Sequence, residues 1–170
     1  MRKCVLTLLV CLLAVPAIGS AALMRTAGDG TLSVEDGRGT VVLSVRGGVI
    51  GRFDRGSVTI VDLTPHDAFE PKVWGAERDS ADGERHTGRD VRFRVIGGEF
   101  FVLVNGAGIE LSAVGSGWTT LTGRGRDPGL FSLDGEECSA PRASCRELPS
   151  EPRKFRLGTD AVERSDSALR

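Results

Sequence analysis

His66, Asp67 and His86, with Asp62, Asp79, Asp82 and Glu84 close by in sequence, are the residues of this chain whose types suit metal binding or proton transfer. Imidazoles and carboxylates do that work only when their spacing brings them to one point. Here the spacing is wrong for the usual sites. No two histidines stand one helical turn apart, and Asp79-Ser80-Ala81-Asp82-Gly83 lacks the alternating acidic ligands of a calcium loop. The expectation is a solvated, charged loop without a metal site; if oxygen ligands did gather there, they would suit calcium better than zinc.

A nucleophile is no better supported. Gly115-Ser116-Gly117 carries only the inner part of a Gly-x-Ser-x-Gly elbow and lies between two apolar runs, so it reads as a turn. Glu35, Glu99 and Glu110 fall on expected strands, where solvent-facing acids are common. Glycoside cleavage by paired carboxylates depends on three-dimensional spacing, and a hydrolase or calcium-dependent protein using loop carboxylates is kept as the alternative function. No catalytic residue and no cofactor is assigned.

The arginines offer another chemistry. Arg46, Arg52, Arg55, Arg92 and Arg94 fall in or beside expected strands and would form a basic stripe on an outer sheet face. Guanidinium groups grip carboxylates and phosphates through paired N–H donors. An acidic cell-wall polymer or an envelope protein is therefore the expected partner. Trp74, in the polar stretch with His66 and His86, is the expected exposed anchor, whereas Trp118 is expected in the core. Two Trp and no Tyr leave little for a stacking platform for sugars or bases.

The amino terminus supplies an address. Arg2 and Lys3 precede an apolar run at 5–15, then Pro16 and small residues ending in Ser20-Ala21-Ala22. That is the layout of an export signal, with cleavage expected after Ala22; an uncleaved segment would be the chain's one contact with a membrane. Loss of Arg2 and Lys3 takes the 22 basic residues to 20 against 23 acidic ones, a net charge of −3. A nucleic-acid partner is not expected at that balance. Cys138 and Cys145 are the two cysteines left after cleavage, and in an oxidising compartment they are expected to form one disulfide. The localisation is read as secreted or cell-envelope.

The elements that must position these residues are short strands. Runs rich in Val, Ile, Phe, Leu and Thr occupy 31–35, 40–46, 49–54, 57–62, 91–96, 99–104, 109–114, 118–122 and 130–134, and most end in glycine. Asp36-Gly37, Gly47-Gly48, Arg55-Gly56, Gly97-Gly98 and Asn105-Gly106 read as two-residue hairpin turns. Glycine recurs too often for an amphipathic helix of three turns. Val45-Arg46-Gly47-Gly48 aligns with Val95-Ile96-Gly97-Gly98 at an offset of 50 residues, which suggests an internal repeat.

The fold class read from this pattern is all-β: an antiparallel sandwich or small barrel built from two duplicated three-stranded meanders, with a short β-solenoid as the alternative. One difficulty is visible at this level, because a hairpin at Gly47-Gly48 sets Val45 across from Ile50 and brings Arg52 and Asp54 onto the apolar face. Residues 1–22 are assigned to the signal, 29–158 to a single domain and 159–170 to a disordered tail. Within the domain, 129–135 and 154–158 are expected to pair as a C-terminal hairpin stapled by the disulfide.

The Gly/Arg patterns Arg46-Gly47-Gly48, Gly51-Arg52 and Arg55-Gly56, followed by Phe93-Arg94-Val95-Ile96-Gly97-Gly98, resemble those of uncharacterised secreted β-rich proteins from high-GC bacteria. The resemblance implies export and a β fold, and carries no activity with it. The function expected from all of this is a non-catalytic secreted or envelope module that binds a partner.

Overall fold

The computed structural model describes residues 30–65, 70–135, 138 and 144–158. The signal segment 1–22, His66 and the tail 159–170 lie outside the described residues. The described chain is all-β, with β1 Gly30–Asp62, β2 Lys72–Asp79, β3 Arg85–Gly123, β4 Leu130–Ser132, β5 Arg146–Glu147 and β6 Arg153–Leu157. Among the described residues no helix is long and apolar enough to cross a membrane.

β1 and β3 are the two arms of one long antiparallel hairpin, wound so that each arm meets the other twice. Val41 pairs with both Val104 and Leu121, Val49 with both Val95 and Ala113, and Val58 with both His86 and Val104. The two partners are 17 or 18 residues apart, which is the length of one turn of the winding. Successive stretches of each arm therefore alternate between two hydrogen-bonded series. One series runs 116–123, 39–46, 99–106, 55–62, 85–89; the other runs 30–34, 110–115, 48–53, 91–96. This is the strand order of a jelly roll. β2 covers the edges of both series at one side, while β4 and β5 extend the second series and β6 the first. The sheet is antiparallel throughout and does not close into a barrel.

Three expectations need correction. First, the hairpins at Gly47-Gly48 and Gly97-Gly98 are corners that both arms round together. Both edges of 39–46 are already taken by β3, so nothing is left for 48–53 to pair with, and the three-stranded meanders do not form. A solenoid shares the glycine-marked corners, but here every pair is antiparallel between two arms. Second, 129–135 does not pair with 154–158: β4 pairs with β1 and β5, and β6 pairs with β3. What joins the two segments is a contact between the rings of Phe131 and Phe155 at 5.2 Å. Third, Trp118 is not a core residue; it is 44 % exposed.

Reading Gly47 as a corner removes the register difficulty. A chain that continues extended keeps its alternation, so Val41, Leu43, Val45, Val49 and Phe53 all point inward while Arg46, Ile50 and Arg52 point outward. At this corner Gly47, with φ of +151°, faces Gly115, with φ of +149°. A Cβ on Gly47 would stand 2.2 Å from the Val114 carbonyl oxygen, so the two arms approach only because neither carries a side chain there.

The core gathers the inward residues of both series, among them Phe53, Phe93, Phe100, Val102, Val104, Ile109 and Leu111, each at most 3 % exposed. Stretch 99–106, apolar on both faces in sequence, runs between 39–46 and 55–62 at the middle of its series. Full burial of such side chains contributes about 1.5–3 kcal/mol each, and alternation sends the polar residues between them to the surface.

Candidate functional site: a groove across the second series

The outward residues of the second series line an open groove of about 1220 Å³. Register places them in two rows that cross the strands. In one row Trp74 stands opposite Arg92, Arg92 opposite Arg52, and Arg52 opposite Glu110. In the other, Arg94 stands opposite Ile50, Ile50 opposite Ser112, and Ser112 opposite Ser33, with Lys72 of β2, outside the lining, opposite Arg94. Glu35, Asp36 and Val114 complete the far part of the lining.

Beneath the rows lies the inward set Val73, Phe93, Gly51, Leu111 and Val34. A Cβ on Gly51 would meet the tip of the Phe93 ring at 2.4 Å, so the missing side chain is what makes room for that ring under the groove.

The rows differ in how their charges are satisfied. Arg52 donates from Nε to Glu110 Oε2 at 2.8 Å and from Nη2 to Glu110 Oε1, a two-pronged contact between groups that are each about half exposed. The hydrogen bond to Glu110 and its charge hold the Arg52 guanidinium above the usual arginine value, so it stays cationic. Arg92 and Arg94 are exposed and have no ion-pair partner among the described residues. Trp74 is 50 % exposed at the same end of the groove.

The structure thus brings together four of the residues singled out by sequence, Arg52, Arg92, Arg94 and Trp74, and places Arg46, Arg55 and His86 elsewhere. Arg46 lies on the first series, paired with Glu99 at 3.1 Å. His86 is at the start of β3, with Nδ1 2.6 Å from Asp79 Oδ1 of the neighbouring β2.

Sequence reading missed Glu35, Asp36, Glu110, Ile50 and Val114 as groove residues. The signal was the alternation itself: once the corner is recognised, the even-numbered residues of 48–54, 91–96 and 110–114 face one way.

Among the described loop acids, Asp62, Asp79 and Asp82 have local structural partners. Asp62 Oδ1 accepts the Thr64 N–H at 2.8 Å. Asp82 accepts from the Ser80 hydroxyl and the Glu84 N–H, which hold its carboxyl below the usual carboxylate range. Among the described residues no three His, Cys, Asp or Glu side chains gather as a metal shell.

At the far side of the groove, the Cys138 N–H donates to Glu35 Oε1 at 2.6 Å, and Cys138 is bonded to Cys145 with a Cα separation of 5.5 Å. The disulfide thus ties Cys145 to a residue whose N–H is held by a groove carboxylate.

On the opposite face Trp118 has cations on its ring, Lys154 Nζ at 4.4 Å and the Arg156 guanidinium at 5.6 Å from the centre. Those contacts explain how an exposed indole is held at a strand surface.

Comparison with protein-family models, with curated proteins and with solved structures gave no match to this chain.

Proposed function

We propose that the protein is an exported, non-catalytic binding module that holds an extended acidic segment of a cell-envelope partner along this groove. The observation that carries the reading is the contrast among its arginines. Arg46 and Arg52 are each neutralised by a glutamate, while Arg92 and Arg94 stand two residues apart on one strand, exposed and without an ion pair among the described residues. Cations left unneutralised beside an exposed indole, in a concave surface, are suited to a carboxylate- or phosphate-bearing ligand. Export rests on the signal-like residues 1–22, and the Cys138–Cys145 disulfide fits an oxidising compartment.

Three acids line the groove, Glu35, Asp36 and Glu110, and the pair on facing outward positions that hydrolysis could draw on is Glu35 and Glu110. Both lie on the floor of the same groove in neighbouring stretches, and each is engaged, by Cys138 and Arg52 respectively. Glycosidase carboxylates flank the bond they cleave, so binding is the better reading of this arrangement.

Retention of the processed protein on purified cell wall tests the proposal. Replacing Arg92 and Arg94 together by Glu reverses two charges at the groove and should abolish retention while leaving the melting temperature unchanged. Undiminished retention would discard the groove as the binding surface.

A further inference from the structure

The groove is not uniformly basic. The charges that line it sort by strand: Arg92 and Arg94 on the stretch beside β2 stand at one end, and Glu35 and Asp36 on β1 with Glu110 beside them at the other, while Asp54 and Asp90, outside the lining, act on Arg52. The Arg52–Glu110 pair marks the boundary. Ile50, in the middle, and Val114, on the same stretch as Glu110, are 56 % and 52 % exposed, and Thr31, Ser33 and Ser112 are among the uncharged residues of the lining.

From β2 to the 30–36 stretch there are four interstrand steps, roughly 19 Å at the usual spacing of about 4.8 Å. An extended chain of about six residues covers that distance.

Resting on the binding reading above, we infer that the occupant is an extended peptide segment of a partner protein with polarised charge: acidic residues over Arg92 and Arg94, an apolar centre over Ile50 and Val114, and basic residues over Glu35 and Asp36. A uniformly acidic polymer meets repulsion at the Glu35–Asp36 end. A second copy of this chain would have to press one concave face into another. A polarised peptide satisfies both ends at once, and its apolar centre covers the exposed Ile50 and Val114.

The test is calorimetric titration of the processed protein at low salt with three capped hexapeptides: Asp-Asp-Val-Val-Arg-Arg, its alternating isomer Asp-Arg-Val-Asp-Arg-Val, and hexa-aspartate. The polarised peptide should bind about tenfold more tightly than either of the others. This preference is the size expected from two exposed charge contacts at the second end.

Glu35→Gln with Asp36→Asn keeps the shape of the acidic end and removes its charge. That variant should lose the tenfold preference while binding hexa-aspartate at least as well as before. Equal affinity for the two isomers, or tightest binding of hexa-aspartate, overturns the polarity and leaves the binding reading standing. Failure of all three peptides to bind overturns both. A dimer in light scattering that dissociates in the Glu35→Gln, Asp36→Asn variant would replace the peptide with a second copy.

Discussion

Arg52 and Glu110 face each other across neighbouring strands in the middle of the groove and share two hydrogen bonds. Arg52 is also the cross-strand partner of Arg92, so without Glu110 two like charges would stand side by side. The pair is half exposed and contributes at most about 1 kcal/mol to stability. Its larger role is to set the charge of the groove. Glu110→Gln should lower stability by less than about 1 kcal/mol in urea unfolding and strengthen binding of acidic ligands, because Arg52 joins Arg92 and Arg94 as an unneutralised cation. A large loss of stability would mean that the contact does more structural work than its exposure implies.

The corner at Gly47-Gly48 separates two neighbouring glycines by consequence. An alanine at 47 would adopt an unfavourable φ and drive its Cβ to within 2.2 Å of a carbonyl oxygen, whereas a Cβ at 48 meets nothing nearer than the Val95 carbonyl oxygen at 3.7 Å. Gly47→Ala should cost upwards of about 3 kcal/mol or prevent folding, and Gly48→Ala less than about 1 kcal/mol. A type I′ hairpin would need positive φ at both positions, so equal damage from the two substitutions, by chemical denaturation, would contradict the wound hairpin.

Gly51 and Phe93 give a second packing test. Alanine at 51 pushes on the Phe93 ring from below the groove, an overpacking cost of about 1–3 kcal/mol. Phe93→Ala removes a ring that is 1 % exposed and should cost about 3–5 kcal/mol. The double variant should recover part of the Gly51→Ala loss, since the clash is with the ring itself; strictly additive melting data would show that the ring is not what the new methyl meets.

The Cys138–Cys145 bridge closes a loop with a sequence separation of 7. Chain entropy assigns such a bridge about 2 kcal/mol. Reduction, or Cys138→Ser with Cys145→Ser, should lower unfolding free energy by about that amount and loosen the loop held by Glu35. Hydrogen exchange at the Cys138 amide reports the second effect directly; unchanged protection there would mean that Glu35 alone holds Cys138.

Much of the architecture was legible from alternation and glycine. Val41, Leu43 and Val45, and likewise Val91, Phe93 and Val95, declared their inward faces, and the recurrence of glycine near 39, 47, 56, 106, 115 and 123 marked the ends of straight stretches. What a Gly-Gly pair does not carry locally is whether the chain reverses or bends. Both need unusual backbone angles, and the choice depends on partners such as Glu99 and Ser116 for Arg46, 53 and 70 residues away. The arginines were legible as outward residues for the same reason of alternation. Their sorting into neutralised Arg46 and Arg52 and unneutralised Arg92 and Arg94 was not, because the glutamates responsible come from β3. Trp118 misled because indoles usually lie inside, and the cations on its ring come from β6, far along the chain.

Fluorescence offers the most direct measurement of the groove as a binding surface. With Trp118 replaced by Phe, Trp74 is the one indole, half exposed beside Arg92. Titration with the polarised hexapeptide should change Trp74 emission saturably, weaken as salt rises, and vanish in the Arg92→Glu, Arg94→Glu variant. A saturable change of the same amplitude and midpoint in that variant would contradict the account.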